Sequence, residues 1–161
     1  MRRFLTLLAI AILTVSDQII KIAAEASLSG GKVIRLGEFL AFRYVENTGM
    51  AFSLLSSETE FLSVITAVML LVIVAVLLSG KLKDKLLYVA LVLVASGGAG
   101  NLYDRIMRGY VIDYIEPLFV DFAVFNFADC LITVGAFSMI LYLILDIIKE
   151  RRTKQGKEQI S

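Results

Sequence analysis

The 161-residue chain has no histidine, one cysteine, one proline and only 19% charged residues. Without histidine it cannot build a Ser-His-Asp triad, a Cys-His pair or a two-histidine zinc site. The lone Cys130 cannot close an internal disulfide, and redox chemistry is not indicated. A formal net charge of +1 gives no reason to expect a nucleic-acid partner. Repeats and low-complexity stretches are also missing, so nothing marks a second domain. Pro117 cannot continue a helix interior, so the chain is expected to turn there.

What the chain has in abundance is apolar material. Hydrophobic residues make up 58% and mean hydropathy is +0.83, above the roughly 45–50% apolar share of soluble domains. A bilayer-spanning helix needs about 20 largely apolar residues, and residues 4–24, 61–78, 86–100 and 131–148 come close enough. The expected fold is an all-α membrane protein of four transmembrane helices. The expectation is one integral membrane domain over 1–161, with a tail at 149–161. Ten Lys and Arg residues flank these helices on the side of both termini, against five in the segments 25–60 and 101–130. The positive-inside rule then puts both termini in the cytoplasm and those two segments outside.

The first segment also fits a cleavable leader, with Arg2 and Arg3, an apolar run and the small-residue pattern Ala24-Glu25-Ala26. Asp17 and Lys21 favour a retained helix, because their four-residue spacing puts both on one face where they can pair. Outside, residues 32–52 hold two β-branched and aromatic runs around Leu36-Gly37-Glu38. This predicts a small β element between helices one and two, lying on the membrane surface and ending in the turn Asn47-Thr48-Gly49. Between helices three and four a loop is expected.

Three hydrolytic designs survive the lack of histidine: a Ser-Lys pair, an all-carboxylate metal site, or two aspartates sharing a proton around a water. Lys21 has Asp17 one turn away while Ser16 points elsewhere, which disfavours the first. Asp113 and Asp129 both sit among apolar neighbours, and burial raises carboxyl pKa values. On one straight helix their 16-residue separation would be roughly 24 Å. If "PLFVDFAVF" returns across the surface after Pro117, the two can face each other and polarise one water. Each acid also has a plainer reading. Asn126 as helix N-cap with Asp129 three residues on resembles a capping box, and Asp113 could be a solvated loop acid. The positive end of helix four would favour charged Asp129, leaving the proton on Asp113.

Four segments, "DQIIK", "ENTGMAFSLL", "GGAGNLYDRIMRGYVIDYI" and "FNFADC", together resemble the motif boxes of the lipoprotein signal peptidases, or signal peptidase II. The resemblance spans nearly the whole chain in matching order. It implies a bacterial aspartyl protease, multi-pass in the cytoplasmic (inner) membrane. Such an enzyme removes signal peptides from diacylglyceryl-modified prolipoproteins at the extracytoplasmic face. No cofactor or metal, contacts with membrane lipids, and a monomer are expected.

By the same resemblance Asp113 and Asp129 match the catalytic aspartates. Asp17 and Lys21 match the helix-one pair, though an ion pair that merely permits insertion would look alike. Asn47, Gly49, Ala51 and Phe52 match the second box, where an amide could hold substrate backbone and a plain turn is the alternative. Gly97, Asn101, Asp104, Arg105 and Val111 match the third, with Asn101 and Arg105 expected to point outward toward substrate. Helix packing for the glycine and headgroup snorkelling for Arg105 remain open. Asn126 and Ala128 belong to the fourth box. A small proton-coupled transporter built on Asp17, Lys21 and Asp129 is the competing function, and a non-enzymatic assembly factor a third.

Overall fold

The computed structural model describes residues 1–49 and 58–158. Four helices, α1 (Arg2–Leu28), α2 (Glu58–Ser79), α3 (Lys85–Arg108) and α4 (Phe127–Glu158), are joined by strands β1 (Val33–Leu36), β2 (Leu40–Asn47) and β3 (Val111–Pro117). All four helices contain stretches long and apolar enough to cross a membrane. Large apolar side chains such as Phe4, Ile19, Leu71, Phe137 and Leu143 are exposed. A soluble protein would bury such a surface, whereas lipid solvates it.

The centre is α3. Half of its most apolar stretch is buried, against 11% in α1 and α4 and 6% in α2. Small residues let the neighbours come close. A Cβ on Gly97 would run into the Ala128 carbonyl oxygen of α4, and one on Gly100 would stand 2.5 Å from Asp17 Oδ2 of α1. Asp84 caps the start of α3 by accepting from Leu87 N at 3.0 Å. Gly109, with φ of 81°, ends it, and its N–H donates to Arg105 O.

Helix boundaries differ from those read in the sequence. The helix expected to stop at residue 100 runs to Arg108, because Gly97, Gly98 and Gly100 are close-packing positions within the helix and not its terminus. The fourth starts at Phe127, four residues before its apolar run, since the polar turn "NFAD" is capped from outside. It continues to Glu158, and helix one reaches Leu28.

The β element is larger than expected. A three-stranded antiparallel sheet has the order β1-β2-β3, so the connection between α3 and α4, read as a loop, supplies a strand. Its "VIDYIEP" is a short apolar run too brief to separate from loop by pattern alone. Val45 lies opposite Asp113 and Asn47 opposite Val111, with an irregularity between Phe42 and Val45. After Pro117 the chain folds back, and Phe125 exchanges backbone hydrogen bonds with Ile115 at 2.8 and 3.0 Å. Ile112 and Tyr114 of β3 pack with Ala24 and Leu28 of α1, and Phe127 lies against the same cluster. The sheet is thereby fixed to the ends of α1 and α4.

Candidate active site

Strand β3 carries Asp113, only 2% exposed, toward the start of α4. Asp113 Oδ1 accepts from Asn126 Nδ2 at 2.7 Å and Oδ2 from Asn47 Nδ2 at 2.8 Å. Burial is the main cause that pushes this carboxyl up to about 6, with the two amide bonds pulling it down and the charge of Asp129 pushing the same way as burial.

Asp129 enters from the first turn of α4. Its backbone N–H donates to Asn126 Oδ1 at 3.0 Å, while its Oδ2 accepts from Asn126 N at 3.1 Å. These reciprocal bonds form a capping box. The other oxygen, Oδ1, accepts from Asn101 Nδ2 at 2.8 Å. Asn126, fully buried, therefore bonds both acids at once. The capping box and the bond that ties Asp113 to Asn126 are one arrangement and not rival ones.

Behind the acids lies a buried charge cluster. Lys21 Nζ, with no exposed surface, lies 2.9 Å from Asp17 Oδ2 and 2.7 Å from Asp104 Oδ2, and donates to Asn101 Oδ1 at 2.8 Å. All three ammonium protons are thereby engaged with α1 and α3, and none is directed at a serine, which leaves the Ser-Lys design without support. Asp17 Oδ1 accepts from Ala128 N at 3.0 Å and so caps the entry to α4 from α1. Asn101 was expected to point outward. It is 5% exposed and turned inward, because Lys21, Asn126 and Asp129 all bond its amide. Arg105 is half-buried and close enough to feel the charges of Asp129, Asp113 and Asp104. Among the described residues it forms no ion pair.

Val111 is buried at the head of β3, opposite Asn47. Gly49, with φ of 82°, donates its N–H to Asn47 Oδ1 at 2.8 Å, which fixes the turn that aims the Asn47 amide. Gly97 meets Ala128 across the α3–α4 contact. Ala51 and Phe52 lie outside the described residues. No group of three or more His, Cys, Asp or Glu side chains among the described residues is placed to hold one metal ion. Two residues to which the sequence reading gave no site role join the network. Gln18 Nε2 donates to Gly100 O at 3.1 Å and to Asp17 Oδ2 at 3.2 Å, and Tyr114 Oη accepts from Phe127 N at 3.2 Å. For Tyr114 the only sequence signal is adjacency to Asp113.

The family model for signal peptidase (SPase) II matches residues 9–145, from the first third of α1 nearly to the end of the apolar part of α4. The chain belongs to the signal peptidase II family. Relatives named lipoprotein signal peptidase include one from Streptococcus thermophilus, 35% identical over 144 residues, covering 89% of this chain and 94% of the relative. Another, from Enterococcus faecalis, is 39% identical over 119 residues, covering 74% and 72%. A solved bacterial membrane enzyme superposes with a TM-score of 0.79 at 28% identity, covering 88% of both chains. A second such structure gives the same TM-score and identity. Membership makes this signal peptidase II homologue an aspartic-type peptidase of a bacterial integral membrane family, so neither the transporter nor the assembly-factor reading holds.

Proposed function

We propose that this enzyme removes signal peptides from diacylglyceryl-modified prolipoproteins, with Asp113 and Asp129 as a dyad that activates one water. Signal peptide removal from prolipoproteins follows from the family. The dyad rests on one observation above the others: Asn126 bonds both acids, one through its side-chain amide and one through its cap. Two carboxylates held by one residue in a site closed by buried Lys21, Asp17 and Asp104 cannot both ionise cheaply, so they keep a proton between them.

Asp129 sits at the positive end of α4 and accepts N–H bonds there, which suits the charged form and the role of base. It takes a proton from water as the oxygen attacks the scissile carbonyl. Asp113, more deeply buried, gives its proton to the carbonyl oxygen. The gem-diol adduct then collapses as Asp129 gives its proton to the departing amide nitrogen and Asp113 takes back a proton from a diol hydroxyl, which leaves the acid and the amine as products and restores the dyad. Asn47, bonded to Asp113, and Arg105, near both acids, are the groups suited to hold substrate backbone. Lys21, Asp17, Asp104, Asn101, Val111 and Ala128 hold the frame, and Gly97 and Gly49 allow its close approaches.

Both termini lie in the cytoplasm of a bacterium and the site faces outward from its cytoplasmic membrane. Supporting this, ten cationic residues flank the helices at the end away from the sheet. Exposed Phe39 and Phe119, with ring centres 6.5 Å apart, and exposed Leu36, Val120 and Phe122 give the sheet an apolar edge suited to the lipid surface. In this reading the enzyme works as a monomer without a cofactor, as one domain over 1–161.

The test is purified protein in detergent with diacylglyceryl-modified and unmodified prolipoprotein, with and without chelator. Cleavage of the modified substrate alone, unchanged by chelator, is expected. Equal cleavage of both substrates contradicts the lipid requirement, and loss on chelation contradicts the dyad.

A further inference from the structure

The first three backbone N–H groups of α4 have no partner within the helix, as at any helix start. Here each goes to a side chain of different origin: Phe127 N to Tyr114 Oη of β3 at 3.2 Å, Ala128 N to Asp17 Oδ1 of α1 at 3.0 Å, and Asp129 N to Asn126 Oδ1 of the cap at 3.0 Å. Asp17 and Asn126 already have roles in the site. Tyr114 has none.

Consecutive residues of a strand point to opposite faces. Asp113 and Tyr114 therefore reach the entry of α4 from two sides of the same strand, one through the Asn126 amide and the other through the Phe127 N–H. The Tyr114 ring is 5% exposed and packed against Ala24, Leu28 and Ile112, so its hydroxyl has little freedom. The strand bearing one acid is thus fastened at two adjacent points to the turn bearing the other.

We propose that Tyr114 is a positioning residue whose hydroxyl, by holding the Phe127 N–H, fixes the separation of Asp113 and Asp129. The idea rests on the dyad reading given above. Phenylalanine in its place keeps the ring packing and removes only the acceptor. The first turn of α4 then loosens, and the water between the acids is held less well in the transition state. Substrate contacts elsewhere are untouched, so the loss falls on kcat and not on KM.

The test measures kcat and KM of wild type, Tyr114→Phe, Phe127→Pro and the double variant, at a temperature well below the melting point of each. Proline suits the first helical position and removes the donor. Expected are a fall of about three- to tenfold in kcat for Tyr114→Phe, a KM within about twofold of wild type, and no further fall when Tyr114→Phe is added to Phe127→Pro. Unchanged kcat in Tyr114→Phe, or an equal additional fall in the proline background, overturns the proposal. An Asp129→Asn control run alongside separates this from the dyad reading: an active control would remove the dyad, while an inactive control with a wild-type Tyr114→Phe would remove only the role of Tyr114.

Discussion

Asn126 Nδ2 stands 2.7 Å from Asp113 Oδ1, and the same residue caps the helix that begins at Phe127. One side chain therefore sets both the orientation of an acid and the start of the element bearing its partner.

Replacing Asn126 by alanine removes both functions. The lost cap costs about 1 kcal/mol, and an unsatisfied Asp113 oxygen adds to that. Catalysis should suffer more than folding, with kcat falling about 100-fold or more while the protein still melts cooperatively. Kinetics and a thermal melt on the same preparation check this.

Lys21 pairs with two fully buried carboxylates, Asp17 and Asp104. Lys21→Met leaves Asp17 without its cation and Asp104 with only the Arg108 guanidinium at 3.6 Å, and a broken buried pair costs about 3–5 kcal/mol. The expected outcome is a large drop in melting temperature in detergent, partly recovered when Asp104→Asn is added. A single variant that melts like wild type would show the cluster to be energetically idle.

The glycines of α3 should differ in tolerance. A Cβ at Gly97 meets the backbone of Ala128, which cannot move without moving Asp129, so Gly97→Ala should cost at least about 1–3 kcal/mol and lower activity. At Gly98 the nearest atom is the tip of Leu70 at 3.3 Å, a side chain able to shift. Gly98→Ala should be nearly neutral, since alanine regains about 1 kcal/mol of helix propensity. Melting temperatures of the two variants provide the comparison.

The pH dependence follows from Asp113. Its folded pKa of about 6 lies above the ordinary 3.8, so the folded protein keeps this proton where the unfolded chain has lost it. The contribution to stability is therefore full below about 3.8 and disappears as pH rises through about 6. If Asp113 carries the working proton, kcat/KM declines on the alkaline side of about 6, as an apparent value of the pair. Asn47 stabilises the charged form, so Asn47→Ala should move that limb to higher pH. A pH–rate profile in which the limb stays fixed or moves down counts against the assignment.

The four helices were legible because largely apolar stretches such as 61–78 and 131–148 have few other fates. The boundaries were not, since Gly97 to Gly100 reads equally as a helix end or as a close-packing face until α4 and Asp17 are in view. Strand β3 was missed because its partners on β2 are more than sixty residues away, and its seven residues carry no long-range information alone. Asp113 and Asp129 stood out as candidates through their apolar flanks and Pro117. The inward turn of Asn101 was not, because it depends on Lys21 reaching across from another helix.

The central claim is that Asp113 and Asp129 act as one unit on one water. The direct measurement is kcat for cleavage of a diacylglyceryl-modified prolipoprotein by Asp113→Asn, Asp129→Asn and the double variant, each shown to be folded. Groups acting as a unit are strongly non-additive, so each single variant should lose about 1,000-fold or more and the double should be little worse. A single variant within about tenfold of wild type, or losses that multiply in the double, would contradict it.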